Sequence, residues 1–291
     1  MPRVPDQQGG VSESAGSVGA MCGRYASSSR PETLQQEFDI DEILGDLPGP
    51  DFNVAPTVAV PAVLERRSRT DDAVVRRLSP LVWGLVPSWA KDAKGGARMI
   101  NARVETVAEK PAFRRAFAAR RCLLPADGFY EWYAPEATEQ ILGRAPAGRG
   151  KKQPFFIHRA DGSLLVMAGI YEIWRDPAKA ADDDTAWLRT CSIITTEATD
   201  AIGHIHDRMP MVVPRRSWDA WLDPGLTDPQ AALDLLQVTE AAALEAYAVS
   251  TAVNKVSNND ASLVVPLPAE GEPPQSQEPP QSQEPVQDTL L

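Results

Sequence analysis

Cys122-Leu123-Leu124-Pro125-Ala126-Asp127-Gly128-Phe129-Tyr130-Glu131-Trp132-Tyr133 is an almost continuous apolar and aromatic stretch near the middle of the chain. Aliphatic and aromatic side chains in a short run of this kind favour an extended strand over a helix. We therefore predict a strand over residues 122–133.

Similar strand signals recur on both sides of this stretch. Each is a short apolar or β-branched run bounded by proline, glycine or polar residues. They cover residues 58–64, 73–78, 81–86, 154–158, 164–174, 190–195 and 211–213. Many short strands with few intervening helices predict an antiparallel α+β arrangement.

The predicted helices begin near Ser, Thr, Pro or Asp, the residues that favour helix starts. The first begins near Pro31 and places Leu34 and Phe38 four residues apart on one face. The others cover residues 107–119, 199–204, 215–222 and 239–246. Residues 134–152 are rich in Gly, Pro and charge, and strand-like runs flank them. We interpret them as a surface insertion in a hairpin.

The two ends of the chain lack the apolar residues that a packed core needs. Residues 1–20 are rich in Gly, Ser and Gln, which indicates a disordered leader or sequence upstream of a true start at Met21. We favour the start at Met21. Residues 266–291 repeat Glu-Pro-Pro-Gln-Ser-Gln and hold five acids and no base, which predicts a disordered acidic tail. The folded domain is then expected over residues 22–265.

The composition predicts a globular protein, because 43% of the 291 residues are hydrophobic. No apolar run approaches the ~20 residues that span a bilayer, and the first residues lack the apolar core of a signal peptide. Cys22, Cys122 and Cys191 are too widely spaced for a disulfide framework or a zinc pattern, which favours a reducing cytosol. Cys122 and Cys191 lie in apolar runs and are expected to be inert core thiols.

The net charge of −11 argues against nucleic acid as a partner, but the charge is unevenly distributed. Residues 98–121 hold seven bases and two acids. A solvated helix face explains such a run. A groove that follows phosphates, with Trp83 and Trp89 as stacking platforms, explains it as well.

Met21-Cys22-Gly23-Arg24 marks the start of the folded part. A mature chain that begins at Cys22 presents an α-amine and a thiol on adjacent carbons, with ordinary pKa values of about 8 and about 8.5. The amine can attack a carbonyl, and the sulfur can then close a ring. An internal Cys22 lacks the free amine for the first step.

Three polar segments supply further candidates, each with two interpretations. Glu131 lies among aromatics and is either exposed or a functional carboxylate with a raised pKa. His206 is either a surface loop residue or a general acid or base. His204 and His206 lack a third ligand, so no metal site is predicted. A helix cap at Thr106 explains part of residues 100–106, but leaves Asn101 and Arg103 unexplained.

Taken together, these segments resemble a known family, the SRAP domain (SOS-response-associated peptidase) of abasic-site crosslinking proteins. Each motif alone is weak, but seven occur in the same order. They are Met21-Cys22-Gly23-Arg24-Tyr25, Asn53-Val54-Ala55-Pro56, Trp83-Gly84, Ile100-Asn101-Ala102-Arg103-Val104-Glu105-Thr106, residues 122–132, Gln153-Pro154-Phe155-Phe156-Ile157 and Ile205-His206-Asp207-Arg208-Met209-Pro210.

The resemblance implies one compact α+β domain with a β-rich, barrel-like core that acts as a monomer in the cytoplasm, associated with DNA. Its partner would be single-stranded DNA with abasic sites, bound covalently through a thiazolidine without metal or cofactor. The implied catalytic residues are Cys22 as nucleophile, Asn101 to position its amine, and Glu131 and His206 to move protons. The implied phosphate contacts are Arg24, Arg103 and Arg208. The implied groove-lining residues are Asn53, Pro56, Trp83 and Thr195.

Two other functions remain open from the sequence. The α-amine of Cys22 could activate its own thiol to cleave an amide, as in N-terminal-nucleophile hydrolases. The chain could also bind single-stranded DNA without any covalent step. Abasic-site lyase activity and self-cleavage ahead of Cys22 are further expectations of the resemblance.

Overall fold

The computed structural model describes residues 23–68, 70–134, 138–139, 152–198, 208–237 and 244–268. The leader, most of the acidic tail and the predicted helix over residues 199–204 lie outside the described residues. So do two of the predicted site residues, Cys22 and His206.

The described chain is mainly β-structure with short peripheral helices. The strands are β1 Tyr25–Ser27, β2 Glu42–Ile43, β3 Asp51–Val54, β4 Ala59–Arg67, β5 Val74–Trp83, β6 Asn101–Arg103, β7 Arg121–Ala126, β8 Gly128–Tyr133, β9 Gln153–Arg159, β10 Leu165–Arg175, β11 Trp187–Glu197, β12 Arg208–Pro210 and β13 Leu244–Ala248. The α-helices are α1 Pro31–Glu37, α2 Val104–Val107, α3 Arg114–Ala119, α4 Trp218–Leu222 and α5 Pro229–Gln237.

Five strands close into a barrel in the order β4, β5, β11, β10 and β7. Four of the five pairings are antiparallel, and β5 pairs with β11 in parallel through Val82 and Trp83. Strands β2, β6 and β12 extend this sheet beyond the ring. The predicted α+β class with a mainly antiparallel, barrel-like core is confirmed.

A second sheet has the order β13-β9-β8-β1-β3, and every pairing in it is antiparallel. Its Tyr25, Val54, Phe129 and Ile157 side chains pack into the same hydrophobic cluster as the barrel residue Trp83. The two sheets therefore share one core.

The apolar stretch over residues 122–133 supplies a strand to each sheet. β7 pairs with β10 in the barrel, whereas β8 pairs with β1 and β9 in the second sheet. The chain changes sheet at Asp127, whose carboxylate accepts a 2.7 Å hydrogen bond from the Ser28 amide. The single strand predicted here is therefore wrong in its continuity, because a polar residue turns the chain between the sheets.

The other strand predictions differ from the structure at two places. The two strands predicted over residues 73–78 and 81–86 are one strand, β5, which runs from Val74 to Trp83 through Pro80 and leaves residues 84–86 outside it. Proline is tolerated because Pro80 lies between the segments that pair with β2 and with β11, so the missing N–H breaks no ladder. Residues 211–213 form only an isolated bridge, between Val212 and Met167.

The predicted helix over residues 107–119 is wrong in its extent, because α2 ends at Val107 and only Arg114–Ala119, as α3, continues the helical backbone. Pro111 lacks an amide hydrogen and disfavours helical backbone in the preceding residue, so the helix is interrupted there. The predicted helix over residues 239–246 is also wrong where it is described, since Leu244 begins β13. α1 and the helix ending at Leu222 are confirmed.

The segment over residues 134–152 connects β8 to β9, which pair from Gly128↔His158 to Tyr133↔Gln153. The prediction that consecutive hairpin strands flank an insertion is therefore confirmed. Most of the insertion itself lies outside the described residues. In the part of the chain that the structure describes, none of the helices is long and apolar enough to cross a membrane.

Candidate active site and nucleic-acid interface

The β1–β8 pairing leads the start of the described chain towards Glu131. Tyr25 lies opposite Phe129, and the Tyr130 amide donates a 3.0 Å hydrogen bond to the Arg24 carbonyl. Extending this antiparallel register by two residues beyond Tyr25 and Phe129 would bring Gly23 opposite Glu131. Gly23 is the residue that follows Cys22 in the chain.

Glu131 is only 4% exposed, although it carries a carboxylate. It shares a face of β8 with Phe129 and Tyr133, since side chains two apart in a strand point the same way. Burial raises the pKa of the Tyr133 phenol, and the nearby charge of Glu131 raises it further. Of the two interpretations of Glu131, the exposed strand position is therefore excluded.

Arg24, which directly precedes β1, and Asn53 on β3 form a hydrogen-bonded pair. Arg24 Nη1 donates to Asn53 Oδ1 at 2.7 Å and to the Val253 carbonyl at 3.0 Å. Asn53 Nδ2 donates to the Lys255 and Asn258 carbonyls at 3.1 and 2.8 Å. Asn53 is buried and uses both ends of its amide inside the protein. It anchors the segment over residues 253–258 rather than presenting its side chain to an open groove.

Trp132 completes this part of the site. Its Nε1 donates to Asn254 Oδ1 at 2.6 Å, and the Arg24 guanidinium lies 5.8 Å from the centre of its ring. On the same face of β8, the Tyr130 hydroxyl donates to the Phe52 carbonyl at 2.7 Å. The guanidinium of Arg24 is thus held by an amide, a carbonyl and an aromatic face.

Trp83 links this region to Asn101. Its ring packs edge-on against Tyr25 at 5.1 Å between centroids, and its Nε1 donates a 2.9 Å hydrogen bond to the Ile100 carbonyl. Asn101 follows directly and begins β6, where it lies opposite Ile193 of β11. The contact between the sheets therefore brings together the segments that carry Arg24, Glu131 and Asn101.

A second polar group surrounds Arg208 on β12. Arg208 forms a two-point ion pair with Glu105, at 2.6 and 3.0 Å, and donates to the Thr195 carbonyl at 2.6 Å. Arg103 lies opposite Thr195 in the β6–β11 register, and its side chain is exposed. The hydrogen bond from Arg208 lowers the pKa of the Glu105 carboxyl, and the charge of Arg103 adds to this effect.

Trp83 is fully buried, so its ring does not line an open groove, which corrects that part of the sequence interpretation. Thr195 is also buried, with its carbonyl bound to Arg208. Pro56 is half-buried.

Trp89, the other tryptophan considered for stacking, is 62% exposed. It borders a cavity of about 370 Å³ that Lys91, Lys94 and Arg98 also line.

The basic run over residues 98–121 separates into different environments. Arg98, Arg103, Lys110, Arg114 and Arg115 are exposed. Arg121 is buried and donates to the carbonyls of Trp221, Phe117, Ala118, Asp223 and Leu226. Neither a solvated helix face nor a phosphate groove describes the whole run, because Arg121 holds helix ends together.

Sequence reasoning missed roles for Trp132, Asn254 and Glu105. Trp132 lies in the motif over residues 122–132, but its hydrogen bond to Asn254 joins residues 122 positions apart. The acidic Glu105, two residues after Arg103, was the available signal for a partner of Arg208.

Cys122 and Cys191 are free and fully buried, as expected for core thiols. Burial raises the pKa of both thiols, and the charge of Cys191 adds to the effect on Cys122. Within the described residues, no group of three or more His, Cys, Asp and Glu side chains is arranged to hold a metal ion.

The chain is similar in sequence to proteins of a known family. A family model described as SOS response associated peptidase (SRAP) matches residues 21–256. The abasic site processing protein YoqW of Bacillus subtilis (strain 168) is 38% identical over 246 residues, 84% of this chain and 99% of YoqW. The abasic site processing protein HMCES of Pongo abelii is 32% identical over 249 residues, 75% of this chain and 65% of HMCES.

Two crystal structures have a similar fold. A protein from Bacteroides thetaiotaomicron superposes with a TM-score of 0.66 at 24% identity, covering 84% of this chain and all of its own. A phage-related protein from Bordetella bronchiseptica superposes with a TM-score of 0.53 at 26% identity, covering 78% of this chain and 94% of its own.

Proposed function

Because the chain belongs to the SOS response associated peptidase (SRAP) family, we propose that it processes abasic sites in single-stranded DNA through a covalent crosslink at Cys22. Its relatives YoqW and HMCES are both named abasic site processing proteins. The reaction proposed for this chain is formation of a thiazolidine between Cys22 and the open-chain sugar aldehyde.

The covalent chemistry needs the α-amine of Cys22 to be free, so Met21 and any preceding residues are removed first. The amine adds to the aldehyde carbon, and loss of water gives an imine. The sulfur then bonds to the same carbon while its proton passes to the nitrogen, which closes the ring. No oxidant or reductant is consumed, and an acid and a base are the only helpers required.

The observation that carries this proposal is the burial of Glu131 on β8, the strand that pairs with β1 at the start of the described chain. Cys22 directly precedes Gly23 in the chain, and we propose that its amine and thiol react beside this carboxyl group. A carboxyl group beside the reacting amine can protonate the departing hydroxyl. We assign Glu131 and His206 to these proton transfers and Asn101 to positioning the amine.

The proposed DNA contacts divide into exposed and buried groups. Arg103 is free to meet phosphates directly, whereas Arg24 and Arg208 already have partners inside the protein. A phosphate that contacts Arg208 competes with Glu105 for the guanidinium group. This competition lowers the affinity of Arg208 for the phosphate. Of the predicted groove residues, Asn53, Trp83 and Thr195 support the site from inside. Trp89 offers an open ring on which a base can stack.

The deciding experiment incubates protein that begins at Cys22 with a single-stranded oligonucleotide carrying one abasic site, followed by a denaturing gel. The expected result is a DNA-shifted band that forms without borohydride. Cys22→Ala should give no such band. Wild-type protein without the band, or a band unchanged in Cys22→Ala, would overturn the proposal.

Two matched forms test the separate steps. Cys22→Ser retains the α-amine, so its imine should be trapped only when borohydride is added. Protein that retains Met21 keeps the thiol but lacks the free amine, and it should form neither adduct. If both forms crosslink like the wild-type protein, the ring-closing chemistry is wrong.

A further inference from the structure

One end of the barrel carries a cluster of arginines that the proposed chemistry does not use. A cavity of about 530 Å³ lies where β4 and β10 end and where β7 and β11 begin. We call its basic wall the basic groove, which consists of Arg66, Arg115, Arg120, Arg189 and Trp187.

Arg189 and Thr195 are both on β11, six residues apart. The groove is therefore about 20 Å from the Arg208 group along this strand.

The charge of the groove is mostly uncompensated. Arg120 pairs with the buried Glu172 at 2.8 Å, and the other oxygen of Glu172 accepts the Ile173 amide at 2.9 Å. Within the described residues, Arg66, Arg115 and Arg189 form no ion pair. Because the whole chain has a net charge of −11, this concentration of guanidinium groups does not reflect a generally basic protein.

The guanidinium groups converge rather than point apart. Burial raises the pKa of the Tyr171 phenol, while the charges of Arg66, Arg120 and Arg189 all act to lower it. These three arginines come from β4, the end of α3 and β11. Their common electrostatic effect on one buried side chain places them around a single point of the barrel end.

The groove continues into a second, adjoining cavity of about 300 Å³. The two cavities share Arg66 and Arg120, and the second also contacts Arg67 and Pro224. At the other end, Trp187 is 55% exposed and offers an open aromatic face. The result is a surface of two adjoining cavities that share Arg66 and Arg120, with an exposed indole on the first. The second cavity is also lined by Glu65, and its Arg67 pairs with Asp72.

We propose that the basic groove binds the phosphodiester backbone of a nucleic-acid strand, with a base stacked on Trp187. Several converging guanidinium groups recognise phosphates, and an aromatic ring accepts any base, so such a surface binds a strand without sequence preference. Two adjoining cavities favour a strand over a compact nucleotide, and the exposed indole favours a strand over an acidic peptide. The inference rests on the proposed function in taking this strand to be DNA that flanks the abasic site.

The experiment measures binding of undamaged single-stranded DNA by fluorescence anisotropy over a range of salt concentrations. It compares the wild-type protein with Arg66→Ala/Arg189→Ala, using strands of about 5 and about 15 nucleotides, since single-strand sites span about 4–16 nucleotides. The expected result is weaker binding of the long strand only. The slope of log K against log[salt] should fall by about 1.4, because each lost phosphate contact removes about 0.7. Trp187→Ala should weaken long-strand binding at least about five-fold.

Arg30→Ala is the matched control, because Arg30 is exposed and lies outside the groove. It should leave the affinity for the long strand and its salt slope unchanged. An unchanged slope in the double variant, or an equal loss of affinity on both strands, would overturn the inference. Crosslinking of a short abasic oligonucleotide by the double variant should proceed at the wild-type rate. Failure of the proposed function would appear instead as absent crosslinking in the wild-type protein.

Discussion

Trp83 Nε1 donates a 2.9 Å hydrogen bond to the carbonyl oxygen of Ile100, and so holds the residue immediately before Asn101. The same carbonyl accepts the Ile193 amide at 2.9 Å, which fixes the start of β6 on β11. The Trp83 ring also packs on Tyr25 of β1. One buried indole therefore sets the position of Asn101 relative to the strand that follows Cys22.

The first prediction is that Trp83→Phe retains most of the stability but slows crosslinking. The free energy of unfolding should fall by about 1–2 kcal/mol, since one hydrogen bond and part of an aromatic ring are lost. Crosslinking should slow because β6 is held less firmly, while affinity for undamaged single strands stays close to that of the wild-type protein. Stopped time courses on denaturing gels and anisotropy titrations measure the two effects.

Trp89→Ala is predicted to weaken the binding of single strands while leaving the stability of the fold almost unchanged. Trp89 is exposed, so its loss should change stability by no more than about 0.5 kcal/mol. Affinity for single strands should fall at least about five-fold if a base stacks on this ring. Anisotropy at fixed salt measures the affinity. Wild-type affinity in Trp89→Ala would show that the strand does not cross this surface.

Arg121→Lys is predicted to destabilise the fold by about 3 kcal/mol or more. The buried guanidinium donates to five carbonyls at the ends of α3 and α4 and in the loop after α4, and an ammonium group cannot reproduce this planar arrangement. Burial of the charge without these hydrogen bonds adds to the cost. Urea denaturation measures the loss, with the exposed Arg115→Lys as control. A loss of less than about 1 kcal/mol would mean that the carbonyls find other donors.

The sequence predicted the strands better than their partners. Aliphatic and aromatic runs identified the barrel strands, because strand propensity is a local property. It does not determine which sheet a strand joins, and only Asp127 indicated a break between β7 and β8. The β13 segment contains Leu244, Glu245 and Ala246, residues with helical preference, and its pairing with β9 overrides that preference.

Site residues were predicted by type, whereas their partners depend on distant parts of the chain. The amide of Asn53 bonds to the carbonyl of Asn258, 205 residues away, so no local pattern could identify it as an internal anchor. Trp83 and Trp89 are close in sequence, yet one is buried and the other exposed. That difference arises from the packing of β5 against β1 and β11, which a sequence of apolar residues does not specify.

The Arg208–Glu105 ion pair is predicted to make the free energy of unfolding depend on pH at values below the ordinary pKa of a glutamate. Arg208 lowers the pKa of Glu105 in the folded protein. The pair therefore contributes fully above the unfolded pKa, for which the model-peptide value is 4.5, and its contribution is lost as the pH falls through the folded pKa. Because the Glu105 side chain is 45% exposed, the contribution at neutral pH should be about 1 kcal/mol or less.

Urea denaturation of wild-type protein and Glu105→Gln checks this prediction. The glutamine variant should be less stable at neutral pH, and the difference in free energy of unfolding should narrow as the pH falls from 4.5 through the lowered folded-state pKa of Glu105. If the difference in free energy of unfolding between the two proteins stays constant over this pH range, the packing of the Glu105 side chain, rather than its charge, explains its contribution.

Gly128→Ala is predicted to be among the most damaging single substitutions in the second sheet. A Cβ at this position would lie 2.4 Å from the Ile157 carbonyl oxygen and 2.6 Å from the Phe156 ring. The oxygen belongs to β9, which pairs with β8, so it cannot move without separating the strands. We expect a loss of about 3 kcal/mol in the free energy of unfolding. Crosslinking should slow as well, since Glu131 lies on the displaced strand.

Gly49→Ala is the matched control, because a Cβ at Gly49 has no heavy atom within 4 Å. Its stability should lie within about 1 kcal/mol of the wild-type value, since only the chain entropy changes. Urea denaturation of both variants measures the difference. If Gly49→Ala loses as much stability as Gly128→Ala, close approach of β9 is not the reason that position 128 requires glycine. Rapid crosslinking by a folded Gly128→Ala protein would further show that the position of Glu131 does not depend on this contact.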